Sequence, residues 1–152
     1  MRRFSAAVAG TIDAARAALR DGIGGNLSGG THHGFPDHSR KQPSHLDVGL
    51  PDGTGDAEYL DALACDLPEV LDRAGACILF YQAGVDPPAE DALGRLSLSH
   101  SGLRERDRRV LETARQRSLP AVLTLGGGYA KPLSATIDAH VGTYEVARAL
   151  FG

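Results

Sequence analysis

The sequence has no tryptophan, one methionine, two cysteines and 5% aromatic residues. Two cysteines, Cys65 and Cys77, make neither a disulfide framework nor a zinc ribbon, so both read as small buried hydrophobes. No apolar run approaches the roughly 20 residues that a membrane span needs. Near the start, Asp13, Arg16 and Arg20 interrupt an alanine-rich stretch, which leaves no secretion-signal core. The expected location is therefore the cytoplasm. Strong charge of one sign is also missing. A formal net charge of −3 gives no electrostatic grip on nucleic acid or an anionic membrane. The basic stretch Arg104 to Arg109 alternates with Glu105 and Asp107 and reads as a solvated helix face.

What is present fits one compact domain over residues 1–152. At this length about 70% of the unfolded surface can be buried, and 42% hydrophobic with 23% charged residues is ordinary globular composition. Phe4, Val8, Ile12, Ala15 and Leu19 recur at helical spacing, and Gly22 stops that helix. A short strand follows at residues 23–27, then the polar loop Ser28-Gly29-Gly30-Thr31-His32-His33. Residues 45–50 alternate as a strand. Pro51-Asp52-Gly53-Thr54-Gly55 is a turn, with Asp56 as the expected N-cap of the next helix. That helix carries the stripe Leu60, Leu63, Ala64, Leu67 and Leu71, with Pro68 expected to interrupt it.

The apolar run at residues 76–81 predicts a strand buried on both faces. Another helix starts near Ser99 and buries Leu103, Val110, Leu111 and Ala114. A strand at residues 121–125 ends in Gly126-Gly127-Gly128-Tyr129, and a last helix uses Leu133, Ile137, Val141 and Tyr144. Strands alternating with helices predict an α/β fold, three layers α/β/α with a mainly parallel sheet. Ligands bind such sheets at the carboxyl ends of the strands. Three strands here end in loops bearing reactive groups: His32 and His33, Asp86, and Tyr129. Histidines suit proton transfer near neutral pH, a carboxylate can ligate a divalent metal, and a tyrosine can donate to a developing oxyanion. Together they point to metal-assisted hydrolysis of a carbonyl compound. The glycines at 126–128 also permit a phosphate- or nucleotide-binding module, although no Lys-Ser/Thr follows them.

Gly29-Gly30-Thr31-His32-His33 resembles the double-histidine motif of histone deacetylases and acetylpolyamine-type relatives. Ala83-Gly84-Val85-Asp86 with Asp91-Ala92-Leu93-Gly94-Arg95-Leu96, and Gly126-Gly127-Gly128-Tyr129, resemble two further motifs of that family. Leu46-Asp47-Val48 and Pro51 to Asp56 resemble its class IV branch. The resemblance implies an arginase/deacetylase-type fold and a zinc amidohydrolase that removes acyl groups from acylated lysine or polyamine. It implies Asp86 as zinc ligand, His32 and His33 as the paired histidines with one acting as general base, and Tyr129 as the group that polarises the amide carbonyl.

The chain departs from the family pattern after the double histidine. No Asp-x-His pair to complete the family's zinc site is read in the chain. A deletion junction is expected near residues 37–43, leaving an incomplete domain. His38 and His45 are the nearby substitutes. A lost strand implies unpaired sheet edges, so the product is expected to be poorly stable, a homodimer through its exposed edge, or a fragment of a longer gene. The alternative is a catalytically inactive remnant or interaction protein of the same fold.

Overall fold

The computed structural model describes residues 2–26, 46 and 48–152, with side chains of the first helix described from Thr11 onward. Its elements are α1 (Arg2–Asp21), β1 (Ile23–Asn26), α2 (Asp56–Ala74), β2 (Leu79–Ala83), α3 (His100–Gln116), β3 (Ala121–Leu125) and α4 (Leu133–Phe151). The three strands form a parallel sheet in the order β1-β3-β2. Ile23 and Leu79 both pair with Ala121, so the strands start level and end at the same edge.

Alternation along β3 divides the core into two faces. Val122 points to the side covered by Ala14 and Ala18 of α1. Ala121 and Leu123 point to the other side, against Leu71 of α2, Leu111 and Ala114 of α3, and Ala147 of α4. The expected α/β, three-layer architecture is therefore present. The α3 stripe also stands as expected, with Leu103, Val110, Leu111 and Ala114 all buried. Ser99 caps that helix by accepting from the Gly102 amide at 2.9 Å.

Several expectations are corrected, and most corrections share one cause: close packing here uses small residues. Among the described side chains of α1 the buried residues are Ala14 and Ala18, while Ile12 and Leu19 are exposed; Phe4 and Val8 of the expected stripe lie outside the described side chains. A Cβ on Gly24 would come within 2.0 Å of the Ala14 carbonyl oxygen, so only a small-residue helix face can lie on this strand. In α4 the buried residues are Thr136, Ala139, Gly142, Thr143 and Ala147. The expected stripe of Leu133, Ile137 and Val141 is exposed, Ile137 by 54%.

The strand expected at 76–81 is observed at 79–83, and Phe80 on it is half exposed. Phe80 pairs with Val122 and so faces the α1 side, where α1 lies over β1 and β3. Residues 46 and 48–50 form no strand. Asp56 is not an N-cap; Gly55 holds that position without a side-chain bond. Instead the Asp56 carboxylate accepts from the Ser99 amide at 2.8 Å and from its hydroxyl. Within α2 only Leu71 is buried, because this helix packs on α3 at the flank of the sheet. Pro68 lies inside an uninterrupted α2. Its missing N–H would have bonded to Ala64, which is exposed, so water can take that carbonyl. Cys65 and Cys77 are exposed, not buried.

The basic stretch is likewise not all solvated: Arg106 and Asp107 are buried, at 4% and 1% exposure. Buried charges persist only when paired and hydrogen-bonded, and these two satisfy each other.

Candidate active site

The sheet sets the site. β2 ends at Ala83 and β3 at Leu125, in register with each other, so the turn at 84–86 and the glycine loop at 126–128 leave the sheet side by side. Their backbones touch. A Cβ on Gly126 would lie 2.9 Å from the Gly84 Cα, and the Val85 amide donates to the Gly127 carbonyl at 3.4 Å. Glycine is required at this approach because a side chain would separate the loops.

Asp86 sits in that cleft. A Cβ on Gly127 would meet its Oδ2 at 2.4 Å, and one on Gly84 would meet its Oδ1 at 3.0 Å. The carboxylate therefore occupies a cradle that only glycines leave open. Behind it, Gly94 packs on the Asp86 carbonyl so tightly that a Cβ would approach to 1.8 Å.

Tyr129 ends the glycine loop and is 41% exposed. Its position is fixed through the backbone. The Tyr129 amide donates to Asp91 Oδ2 and its carbonyl accepts from the Ala92 amide at 3.3 Å. Asp91 Oδ1 accepts from the amides of Leu93 and Gly94 at 2.9 and 2.8 Å. One carboxylate thus ties the loop after Asp86 to the loop carrying Tyr129.

Beneath both loops lies a buried polar network that the sequence reading missed. Asp107 Oδ1 accepts from Arg106 Nε at 2.9 Å and from Tyr81, while Oδ2 accepts from Thr143 at 2.6 Å. The free arm of Arg106, NH1, donates to the Gly84 carbonyl at 2.7 Å. Burial pushes the Tyr81 hydroxyl well up, so it stays protonated as a donor. Burial opposes the charge of Arg106, but the hydrogen-bonded Asp107 carboxylate outweighs it and keeps the guanidinium charged. Only the helical period, placing 106 and 107 beside Leu103, Val110 and Leu111, could have signalled this.

His140 of α4 was also missed. Burial lowers its pKa, opposed by a hydrogen bond to the Gly127 backbone, and its Nδ1 is buried without a partner. Asp138-Ala139-His140 is an Asp-x-His sequence, which corrects the reading that the chain has none. However, residues two apart on a helix point to nearly opposite sides: Asp138 is exposed and His140 half-buried. They cannot act as one ligand pair.

Of the expected site residues, the structure brings the loops of Asp86 and Tyr129 together. His32, His33, His38 and His45 lie outside the described residues. Among the described residues no cluster of three metal-binding side chains exists. Asp86 alone fits a divalent metal, as a carboxylate held in a cradle; catalytic zinc takes three protein ligands.

A parallel α/β/α fold with reactive side chains at the carboxyl ends of adjacent strands defines a ligand-handling α/β domain. Residues 34–144 match the histone deacetylase domain, and the chain belongs to that family. An uncharacterised protein of Picosynechococcus is 29% identical over 212 residues, covering 99% of this chain and 71% of the relative. That span is longer than the 152 residues here, so the relative has residues within it that this chain lacks. Histone deacetylase 2 of Arabidopsis thaliana is 33% identical over 90 residues, 59% of this chain and 23% of its own length. The solved acetylpolyamine aminohydrolase of Burkholderia pseudomallei shares the fold at TM-score 0.60 and 18% identity, covering 84% of this chain and 38% of that one. No helix among the described residues is long and apolar enough to cross a membrane.

Proposed function

We propose that the chain carries the acyl-amide site of a class IV-type histone deacetylase in a form whose zinc set is incomplete. The observation that carries this reading is the pairing of two loops at the strand ends, one presenting Asp86 from a glycine cradle and the other presenting Tyr129. The substrate class is an acylated lysine or acylated polyamine; the fold shared with an acetylpolyamine aminohydrolase supports the second.

In this reading Asp86 is one metal ligand. Zinc, with Asp86 as one of its ligands, would supply Lewis-acid polarisation of the amide carbonyl and of the attacking water. One of His32 and His33 takes the proton from that water. Tyr129 donates to the carbonyl oxygen as charge develops there, a contribution worth about 10²–10³ in rate. The proton then passes to the leaving amine, giving carboxylate and amine.

The missing ligands are the Asp-x-His pair, and the longer aligned span of the cyanobacterial relative supports a loss, which we place near residues 37–43. The same ligand shortage favours a second reading, an inactive relative of the same fold. A nucleotide-binding role for the glycine loop is disfavoured, because the Asp86 carboxylate against Gly127 would repel phosphate. Among the described residues β1 and β2 pair on one side only, which supports a homodimer through a sheet edge.

Zinc content of the purified, dialysed protein beside Asp86→Ala decides between hydrolase and remnant. Near-stoichiometric zinc that disappears in the variant supports the hydrolase, and Tyr129→Phe should then lose most turnover. No zinc in either protein establishes the inactive relative.

A further inference from the structure

We infer that Arg106 is a positioning residue for Asp86, acting through the backbone of the turn rather than by touching a reacting group. This rests on the reading of Asp86 as the site carboxylate.

Burying this pair carries a cost. An arginine and an aspartate at 4% and 1% exposure give up hydration that a surface pair keeps, and replacing a buried ion pair by apolar groups is often neutral or stabilising. Stability alone therefore does not explain why this pair is here. Its geometry suggests a different use. Asp107 is fully engaged, by Arg106, Tyr81 and Thr143, and so holds the guanidinium in one orientation. The Tyr81 ring lies 5.8 Å from the Arg106 guanidinium carbon and confines it further. In that orientation NH1 reaches the Gly84 carbonyl at 2.7 Å, two residues before Asp86.

The turn at 84–86 needs such an anchor. Its other backbone ties are a Gly84 amide bond to the Gln82 carbonyl at 3.0 Å and the long Val85 bond to Gly127. Gly84, with no side chain, is conformationally permissive. A planar, always-charged donor fixed on α3 removes that freedom, and Thr143 extends the brace to α4. The carboxylate of Asp86 is thus held on a frame of two helices and a strand. Groups that orient a ligand in this way set metal affinity without contacting the metal.

The test uses the whole chain and a charge-neutral pair of substitutions, Arg106→Met with Asp107→Asn, so that no buried charge is left unpaired. Asparagine still accepts from Tyr81 through its one oxygen, and its Nδ2 can donate to the Thr143 hydroxyl, which can turn its proton to the Ala139 carbonyl. Hydrogen exchange is read at the amides of Val85 and Asp86 and, as a reference, in α2. Cobalt(II) titration, followed by its visible absorption, is run on parent, double variant and Asp86→Ala.

Positioning predicts exchange at 85–86 faster by roughly tenfold or more, with α2 unchanged. It also predicts a cobalt affinity weaker by about 10–100-fold with an altered absorption band. Unchanged exchange at 85–86, or an equal rise everywhere, overturns the proposal, since a merely structural pair would loosen the fold as a whole. If Asp86→Ala binds cobalt like the parent, or the parent binds none, the site reading fails, and the exchange result still decides whether Arg106 orders the turn.

Discussion

Asp91 and Tyr129, 38 positions apart, are joined by a hydrogen bond from the tyrosine amide to the aspartate carboxylate. The same side chain caps its own turn through Leu93 and Gly94, so removing it frees three amides at once. Asp91→Ala should destabilise the protein by about 2–4 kcal/mol, since bonds to charged groups contribute roughly 1.5–3 kcal/mol each and water compensates part of the loss. Asp91→Asn keeps an acceptor and should lose clearly less. Urea unfolding of the three proteins checks the order.

Glycine-to-alanine substitutions should rank by what the new methyl meets. At Gly24 it meets backbone of α1 at 2.0 Å, and backbone cannot step aside. The expected loss is about 1–3 kcal/mol or more. At Gly53 nothing lies within 4 Å, but φ is +82°, so the strain there is local and about 1 kcal/mol. Thermal unfolding of Gly24→Ala and Gly53→Ala tests this ranking.

His140 should give stability a pH slope. Its folded pKa is lowered by burial, beside Arg106, Asp107 and Asp86, so the unfolded chain binds the extra proton more readily. Stability should therefore fall as pH drops from about 7 through the ordinary histidine value near 6.5. It should be fully present above that value. His140→Gln should flatten this part of the profile, measured as unfolding midpoint against pH.

Leu111 and Ile137 both sit in apolar stripes at helical spacing, yet their truncations should differ sharply. Leu111→Ala opens a cavity in the core and should lose about 2–5 kcal/mol. Ile137→Ala lies on the exposed side of α4 and should stay within about 0.5 kcal/mol of the parent. Equal losses for the two would mean that the α4 stripe is covered in solution.

That contrast also explains which parts of the fold were legible. Spacing located α1, α3, β3 and α4, because regular periodicity marks an element whichever face it buries. The parallel direction of the strands, though not their order, followed from strands alternating with helices. The buried faces of α1 and α4 were misread because hydrophobic patterning weighs large side chains. Here contact is made by Ala14, Ala18, Thr136, Ala139 and Thr143, which allow close approach.

That the loops of Asp86 and of the glycines lie side by side was legible, because both follow strands of one parallel sheet. The Arg106 and Asp107 pair was not, since a charge is assigned to solvent unless its partner is known. Tyr81 and Thr143 come from other elements that sequence spacing alone does not bring together. Cys65 and Cys77 were misplaced by the same kind of average, in which residue type stands in for position.

β1 finds its described partner strand only in β3, which is complete at Leu125. During synthesis β1 therefore leaves the ribosome well before the strand that it pairs with among the described residues. At about 5–20 residues per second, it waits on the order of several seconds to some 20 seconds for that partner. The glycines of β1 give it little intrinsic strand preference, which guards it against pairing with the wrong chain in the interval. A close-packed strand of this kind is also slow to recruit once its partner arrives, because the loop to be closed spans most of the molecule.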